Sequence, residues 1–287
     1  MAHEEYKQIS LRPESLALIE LCNQVITRYQ AQGLRLTLRQ LYYQLVTINA
    51  IKNEERAYKR LGAIVSDGRL AGLIDWQAIE DRMRQPTVPN EYRNLGRLIE
   101  AAVYSYRLPR WEGQDFYVEL WVEKDALAGV LAPLADEFHI TLMVNRGYSS
   151  QSAMYEAAKR FRGQFKERVL LYLGDHDPSG EDMVRDVGDR LAMFGADVEV
   201  RKVALTMDQV QAYNPPPNPT KLTDSRAEGY IGRYGEECWE VDALPPDVLA
   251  QLIRAAMVGL RDENKVQAIL KREQADIARL RRLTDRK

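Results

Sequence analysis

Three strand-like runs, each followed by an amphipathic stretch, dominate the chain from about residue 115. FYVELWV precedes DALAGVLAPLADEF, ITLMV precedes SQSAMYEAAKRF, VLLYL precedes GEDMVRDVGDRLAMF, and a fourth run, VEVRKVAL, closes the series. Strands that alternate with helices call for right-handed crossovers and a mainly parallel sheet, so the fold class is α/β. Such sheets place their sites beyond the carboxyl ends of the strands, and the residues that follow FYVELWV and VLLYL carry the most weight.

The segment before that series reads as helical. Residues 14–32 set Leu18, Leu21, Cys22, Val25 and Ile26 at helical spacing before Gly33. Thr37 caps a second helix, LRQLYYQLV, and a third over 54–66 ends near Asp67-Gly68. GRLAGLIDW returns through a turn, so three helices and a small wing resemble a winged-helix or helix-turn-helix unit. A polar stretch with Pro86 and Pro89 follows, then a helix near 91–106, with a boundary at Pro109. The proline-rich excursion from Tyr213 cannot be regular throughout, because proline lacks the amide hydrogen. Helices near 245–259 and 262–283 end the chain. The expected divisions are 1–110, 111–245 and 246–287.

With 45% hydrophobic residues among 287, the chain can bury a substantial core. It has no run of roughly 20 apolar residues for a membrane span, and MAHEEYKQIS lacks the pattern of a secretory signal, so the expectation is cytoplasmic with no membrane partner. Cys22 and Cys238 form neither a disulfide framework nor a zinc site, and three histidines, His3, His139 and His176, make no histidine-rich metal centre. Basic residues outnumber acidic ones over 1–110 and the reverse holds beyond, a balance that suits a polyanion at the front and cations at the back.

Glu123 ends FYVELWV, while Asp175 and Asp177 end VLLYL. In a parallel sheet these ends share one edge, and residues two apart in extended chain project to the same side, so both aspartates face one point while His176 turns away. Clustered carboxylates repel one another unless a cation sits among them, and a hard divalent ion, Mg2+ or alternatively Mn2+, answers that chemistry. The competing reading is turn chemistry, since Asp, Pro, Ser and Gly all favour turns. Glu181 and Asp182 suit a first helical turn after Ser179. Glu119 shares a strand face with Glu123 and reads either as an outer metal contact or, the favoured reading, as a solvated strand residue. Glu240 and Asp242 either join the acidic edge or flank a strand, and Lys124 is either a phosphate contact or a surface lysine. Gly147 and Ser149 open a helix where backbone amides suit a phosphate.

WVEKDAL on one strand and GDHDPSG on a later one resemble the Toprim domain of topoisomerases, primases and related nucleases, and the form GDHDPSG is closest to the A subunit of topoisomerase VI and its meiotic double-strand-break relatives. The resemblance covers roughly residues 115–245 and, with the helical front, most of the chain. It implies a winged-helix-like nucleic-acid-binding domain over 1–110, a Toprim domain over 111–245 and C-terminal helices over 246–287. It implies Mg2+ held by Glu123, Asp175 and Asp177, with Glu123 also catalytic, a DNA substrate, a homodimer, and a separate ATPase subunit, the chain itself having no GxxxxGK[ST] loop.

In TLRQLYYQLV, Leu38, Leu41, Tyr42 and Leu45 make one apolar face, so Tyr42 reads as core and Tyr43 as an exposed residue beside Arg39. The topoisomerase VI A subunit carries a similar Arg-x-x-Tyr-Tyr run in which the second tyrosine attacks DNA, which implies Tyr43 as nucleophile and Arg39 as its partner. Arg56, Lys59, Arg60, Arg69 and Lys124 are the candidate nucleic-acid contacts, the first four also reading as a solvated helix face. In the last helix, Val266, Ile269, Leu270, Ile277 and Leu280 face one way and Arg279, Arg281, Arg282, Arg286 and Lys287 crowd its end, which suits packing or dimerisation. Three functions stay open: tyrosyl transesterification of DNA, metal-dependent hydrolysis without a covalent intermediate, and nucleic-acid binding without catalysis.

Overall fold

The computed structural model describes residues 3–79, 89–145 and 149–284. Pro86, Gly147, Arg286 and Lys287 lie outside the described residues, so the readings placed on them stand as expectations.

Helices α1 (Pro13–Gln30), α2 (Leu38–Thr47) and α3 (Glu55–Leu70) come first, then α4 (Leu95–Ser105). The α/β series runs β1 (Phe116–Val122), α5 (Ala128–Phe138), β2 (Thr141–Val144), α6 (Gln151–Arg162), β3 (Glu167–Leu173), α7 (Pro178–Met193) and β4 (Glu199–Ala204). After it come α8 (Met207–Tyr213), β5 (Asn218–Pro219), α9 (Ala227–Tyr234), β6 (Glu237–Cys238), α10 (Pro246–Met257) and α11 (Glu263–Thr284). The helical C-terminus and the mixed α/β class agree with the sequence reading.

The four long strands form a parallel sheet in the order β2-β1-β3-β4. The strand alternation sends side chains to opposite faces. Val118, Leu120, Val122, Val169, Leu171 and Leu173 pack against α5 and α10, whereas Trp121, Leu170 and Tyr172 pack against α6 and α7. Burying each such side chain stabilises the fold by roughly 1.5–3 kcal/mol, which is why the central strands tolerate few polar residues. The order sets β1 beside β3, and their paired ends bring Glu123 next to the loop after Leu173, with the Glu123 amide donating to the Leu173 carbonyl at 2.9 Å.

A separate apolar cluster joins α1, α2 and α3 around Leu41, Leu45, Leu61 and Ile64, and Ala243 from the 3-10 turn Val241–Ala243 inserts into it. Thr37 caps α2 as expected, with Gln40 completing a reciprocal capping box. Helix α3 continues past the expected stop at Asp67-Gly68 to Leu70. Gly68 is there for packing: a Cβ on it would lie 3.0 Å from Ile19 Cδ1 and 3.1 Å from Ile74 Cδ1. The chain turns instead at Gly72, whose φ is +69°. Among the described residues this stretch forms isolated bridges, Glu5 to Ala71 and Leu36 to Ile79, and no hairpin wing. Helix α4 buries none of its side chains and leans on α11, which the buried pair Arg110–Glu273 fastens to the turn before β1 at 2.5 and 2.7 Å.

Candidate functional site

The loop Gly174–Asp177 after β3 is pinned from two sides. His176 pairs with Trp239 through backbone bonds in both directions at 2.8 and 2.9 Å, and the Asp175 carboxylate accepts the Val241 amide at 2.8 Å. Asp175 is only 6% exposed. Its backbone amide donates to Glu123 Oε2 at 3.1 Å, so the two acids that end β1 and β3 meet as the sheet topology requires. Gly174 makes that approach possible, since a Cβ there would sit 3.1 Å from Glu123 Oε2 and 2.7 Å from the Tyr172 ring.

Asp177 is turned to another task. Its Oδ1 accepts the amide of Gly180 at 2.6 Å and the Ser179 hydroxyl at 2.9 Å, which makes it the N-cap of α7. The helix therefore begins at Pro178, two residues before the expected start at Gly180, and its cap is Asp177. Both readings of this motif apply, one to each aspartate: Asp177 serves the turn, and Asp175 faces the acidic edge.

Glu240 and Asp242 join that edge. Lys124, directly after Glu123, lies 2.9 Å from Asp175 Oδ2, 3.0 Å from Glu240 Oε2 and 3.1 Å from Asp242 Oδ1. It is neither a surface lysine nor a free phosphate contact. Burial works against its charge, but Asp242 and Asp175 outweigh that and hold its pKa above the ordinary lysine value. Asp242 is 0% exposed.

Helix α2 closes the arrangement. Arg39 pairs with Glu240, and its Nε lies 2.8 Å from Asp242 Oδ2, charge against charge without a directed hydrogen bond. The Tyr43 hydroxyl donates to Glu240 Oε2 at 2.6 Å, and the Arg39 guanidinium stands 5.7 Å over the Tyr43 ring. Tyr43 is 4% exposed, which corrects the expectation of an exposed residue. The helical wheel assigned α2 one buried face; the second face is covered by residues 240–242, about two hundred positions away in the chain. Burial first, then the charge of Asp242, raise the Tyr43 pKa above the usual phenol value against the pull of Arg39.

A cleft of about 720 Å³ opens beside this cluster, lined by Arg39, Tyr43, Tyr58, Asp177, Lys221 and Glu240 among others. Asn53 bridges its two walls, accepting from Tyr42 at 3.1 Å and donating to the Pro217 carbonyl at 2.8 Å. The remaining basic candidates separate. Arg56 and Arg60 line a second groove with Arg12 and Lys52 on the far side of α3; Arg60 also meets Glu14 at 3.4 Å. Lys59 pairs with Glu55 at 2.6 Å on the exposed helix face. Arg69 stacks 4.6 Å over Trp76 and donates to its carbonyl, bracing the turn after α3.

Glu119, expected in solvent, is fully buried at 0% exposure. It takes a bidentate pair from Arg160 at 2.8 and 2.9 Å and further bonds from Trp121 Nε1 and Tyr117. It belongs to the packing of α6 on the sheet. Lys202 was missed by sequence reasoning; it donates to the Asp175 carbonyl at 2.9 Å and pairs with Glu181, steadying the loop from β4. A lysine in VEVRKVAL gives no sign of this, because its partners lie in the loop after the neighbouring strand and in α7.

Among the described residues, no three Asp, Glu, His or Cys side chains gather as a metal cage. Glu123 and Asp175 are the acids brought together, and two carboxylates with substrate phosphates and water are the ordinary complement for Mg2+. Burial, then the charge of Asp175, push the Glu123 carboxyl up to about 7. Lys124 is bonded to Asp175, but no cation is bonded to Glu123 among the described contacts, so the pair of acids fits a divalent cation. It also yields a prediction in chelator. A carboxyl whose folded pKa is raised loses stability as pH rises from about 4.5 to about 7, and the cost is complete above that range. Glu123→Gln keeps the acceptor for the Asp175 amide, so urea denaturation is expected to find it about 3 kcal/mol more stable than wild type at pH 8 and equal at pH 4. A wild type that is the more stable at pH 8 would show the charge to be welcome there.

No helix among the described residues is long and apolar enough to cross a membrane. No protein-family model matches the chain, and no curated protein matches it.

Proposed function

We propose that the chain is a metal-dependent DNA-cleaving protein, working by tyrosyl transesterification in the manner of the topoisomerase VI A subunit that its motifs resemble. One observation carries the reading: Tyr43 and Arg39 on α2 are bonded to Glu240, which Lys124 ties to Asp175 beside Glu123. A hydroxyl and a cation at the cleft are thus joined, through Glu240 and Lys124, to the acids at the strand ends. The reading takes the front helices as a winged-helix-like unit and residues 111–245 as a Toprim domain.

In this chemistry the Tyr43 oxygen attacks the scissile phosphorus, a phosphotyrosine bond forms, the bond to one sugar oxygen breaks, and the freed oxygen takes a proton. Glu240, 2.6 Å from the Tyr43 oxygen, is placed to receive the phenolic proton. Arg39 holds the phosphate and offsets its charge. Bound Mg2+ or Mn2+ at Glu123 and Asp175 would supply charge stabilisation at the phosphate and leaving oxygen. Asp177 acts through the α7 cap that shapes the loop. DNA is the substrate, Arg56 and Arg60 supply phosphate contacts along their groove, and a second copy with a separate ATPase subunit completes a strand-passing machine.

A hydrolytic nuclease is the second reading, and the masking of Tyr43 favours it: a phenol 4% exposed with a raised pKa is a poor nucleophile as it stands.

Incubation of supercoiled plasmid with Mg2+ or Mn2+, stopped with denaturant, separates the readings. Wild type is expected to cut and to leave protein attached to the ends; Tyr43→Phe abolishes both. Asp175→Asn keeps the acceptor for Val241 and is expected to slow cutting at least about 100-fold. Asp177→Ser retains an N-cap and keeps most activity. Cutting by Tyr43→Phe with unattached ends establishes hydrolysis instead, and binding without cutting leaves only the non-catalytic role.

A further inference from the structure

The ammonium of Lys124 is enclosed by acids. Three carboxylates, from Asp175, Glu240 and Asp242, lie between 2.9 and 3.1 Å from its nitrogen. An ammonium has three N–H groups, so this lysine spends all of them on acids. Its side chain is 18% exposed and that of Asp242 is 0% exposed, so water screens these contacts poorly. Arg39 supplies the only other cation bonded to Glu240 and Asp242 among the described contacts, and it reaches neither Asp175 nor Glu123 through any described bond. Asp175 therefore depends on Lys124 for its counter-charge.

A divalent cation held by Glu123 and Asp175 would stand within a few ångströms of that ammonium. Like charges this close in a poorly hydrated site repel strongly, so Asp175 cannot serve both at full strength. We infer that Lys124 is a tethered counter-cation that competes with a divalent ion for Asp175, so that the metal loads only by displacing an ammonium already in place. The neighbouring Glu240 and Asp242 give the displaced ammonium somewhere to go: it keeps two of its three partners. The position of Lys124 in sequence, one residue beyond Glu123, ties the exchange to the end of β1. This inference rests on the metal-dependent reading and adds to it a threshold: the site responds to divalent cation only above the concentration that outcompetes Lys124.

The test is Mn2+ binding to the full chain, followed by the loss of the free-ion electron paramagnetic resonance signal, with thermal melting alongside. Lys124→Gln is expected to bind Mn2+ about tenfold more tightly than wild type, because the competitor's charge is gone. Lys124→Arg keeps a charge and is expected to bind within about threefold of wild type, and Asp175→Asn to lose binding. In melting, Mn2+ is expected to raise the midpoint of Lys124→Gln more than that of wild type, the metal replacing the missing counter-charge. Wild-type or weaker affinity in Lys124→Gln overturns the exchange and leaves the metal reading intact. Absence of Mn2+ binding in every variant overturns both. A Lys124→Gln protein that stays unfolded at saturating Mn2+, with Lys124→Arg folded, assigns the lysine to stability alone and also overturns the exchange.

Discussion

Gly180→Ala is expected to lower stability by about 3 kcal/mol, the upper end of what overpacking costs, and to abolish plasmid cutting with it. A Cβ at this position would sit 2.3 Å from the Asp175 carbonyl oxygen and 3.0 Å from its carbonyl carbon. Both are backbone atoms, so no flexible side chain can swing aside. Relief requires either the first turn of α7 or the Asp175 peptide to move. The first movement breaks the Asp177 cap, whose Oδ1 holds the Gly180 amide at 2.6 Å. The second breaks the bond from Lys202 to the Asp175 carbonyl and draws the Asp175 side chain off Val241. Gly229→Ala is the control, because a Cβ there meets nothing within 4 Å in α9. It is expected to be neutral or to gain up to about 1 kcal/mol from helix propensity. Urea denaturation of the two variants checks the contrast, and a Gly180→Ala protein as stable as wild type would mean that the loop has room the packing denies it.

Asp242→Ala is expected to cost about 3–5 kcal/mol, the range for removing one partner of a buried ion pair. The carboxylate is fully buried between Lys124 and Arg39, and its loss leaves a cavity between two cations that then share Glu240 alone. Arg39→Ala is expected to cost far less, about 1 kcal/mol, because that side chain is 42% exposed and water takes up part of its role. The order of these two effects is the measurement: denaturant midpoints that place Arg39→Ala below Asp242→Ala would locate the anchor of α2 in the arginine. Amide exchange in α2 is expected to quicken in Asp242→Ala, since the Val241–Ala243 turn both carries the acid and inserts Ala243 among the helices.

The strand and helix alternation made the parallel sheet legible, and the adjacency of β1 and β3 made Glu123 and Asp175 neighbours. What escaped was set by contacts that a local pattern does not encode. Glu119 follows the two-residue alternation of a strand, which reads as a solvent-facing position only if one face of the sheet is open. In a parallel sheet with helices on both faces it becomes a buried acid, made acceptable by Arg160, Trp121 and Tyr117. Tyr43 escaped for the same reason on a helix. A 3.6-residue pattern identifies the apolar face of α2, and nothing in it announces that the polar face is covered by an ionic contact from residues 240–242. Gly68 followed the turn preference of an Asp-Gly pair, yet its missing Cβ serves the approach of Ile19 and Ile74 inside a helix. Each miss is a case of a tertiary partner giving a second use to a residue whose first use was locally visible.

Tyr43 and Glu240 are 197 positions apart along the chain. A ribosome adding about 5–20 residues per second makes the tyrosine roughly 10–40 s before the acid that receives its hydrogen bond. Through that interval the polar face of α2 is wet, and the three front helices stand on their own apolar cluster of α1, α2 and α3. The cleft is thus among the last parts of the nascent protein to close, and a chain halted before the 240–242 turn carries its tyrosine uncovered.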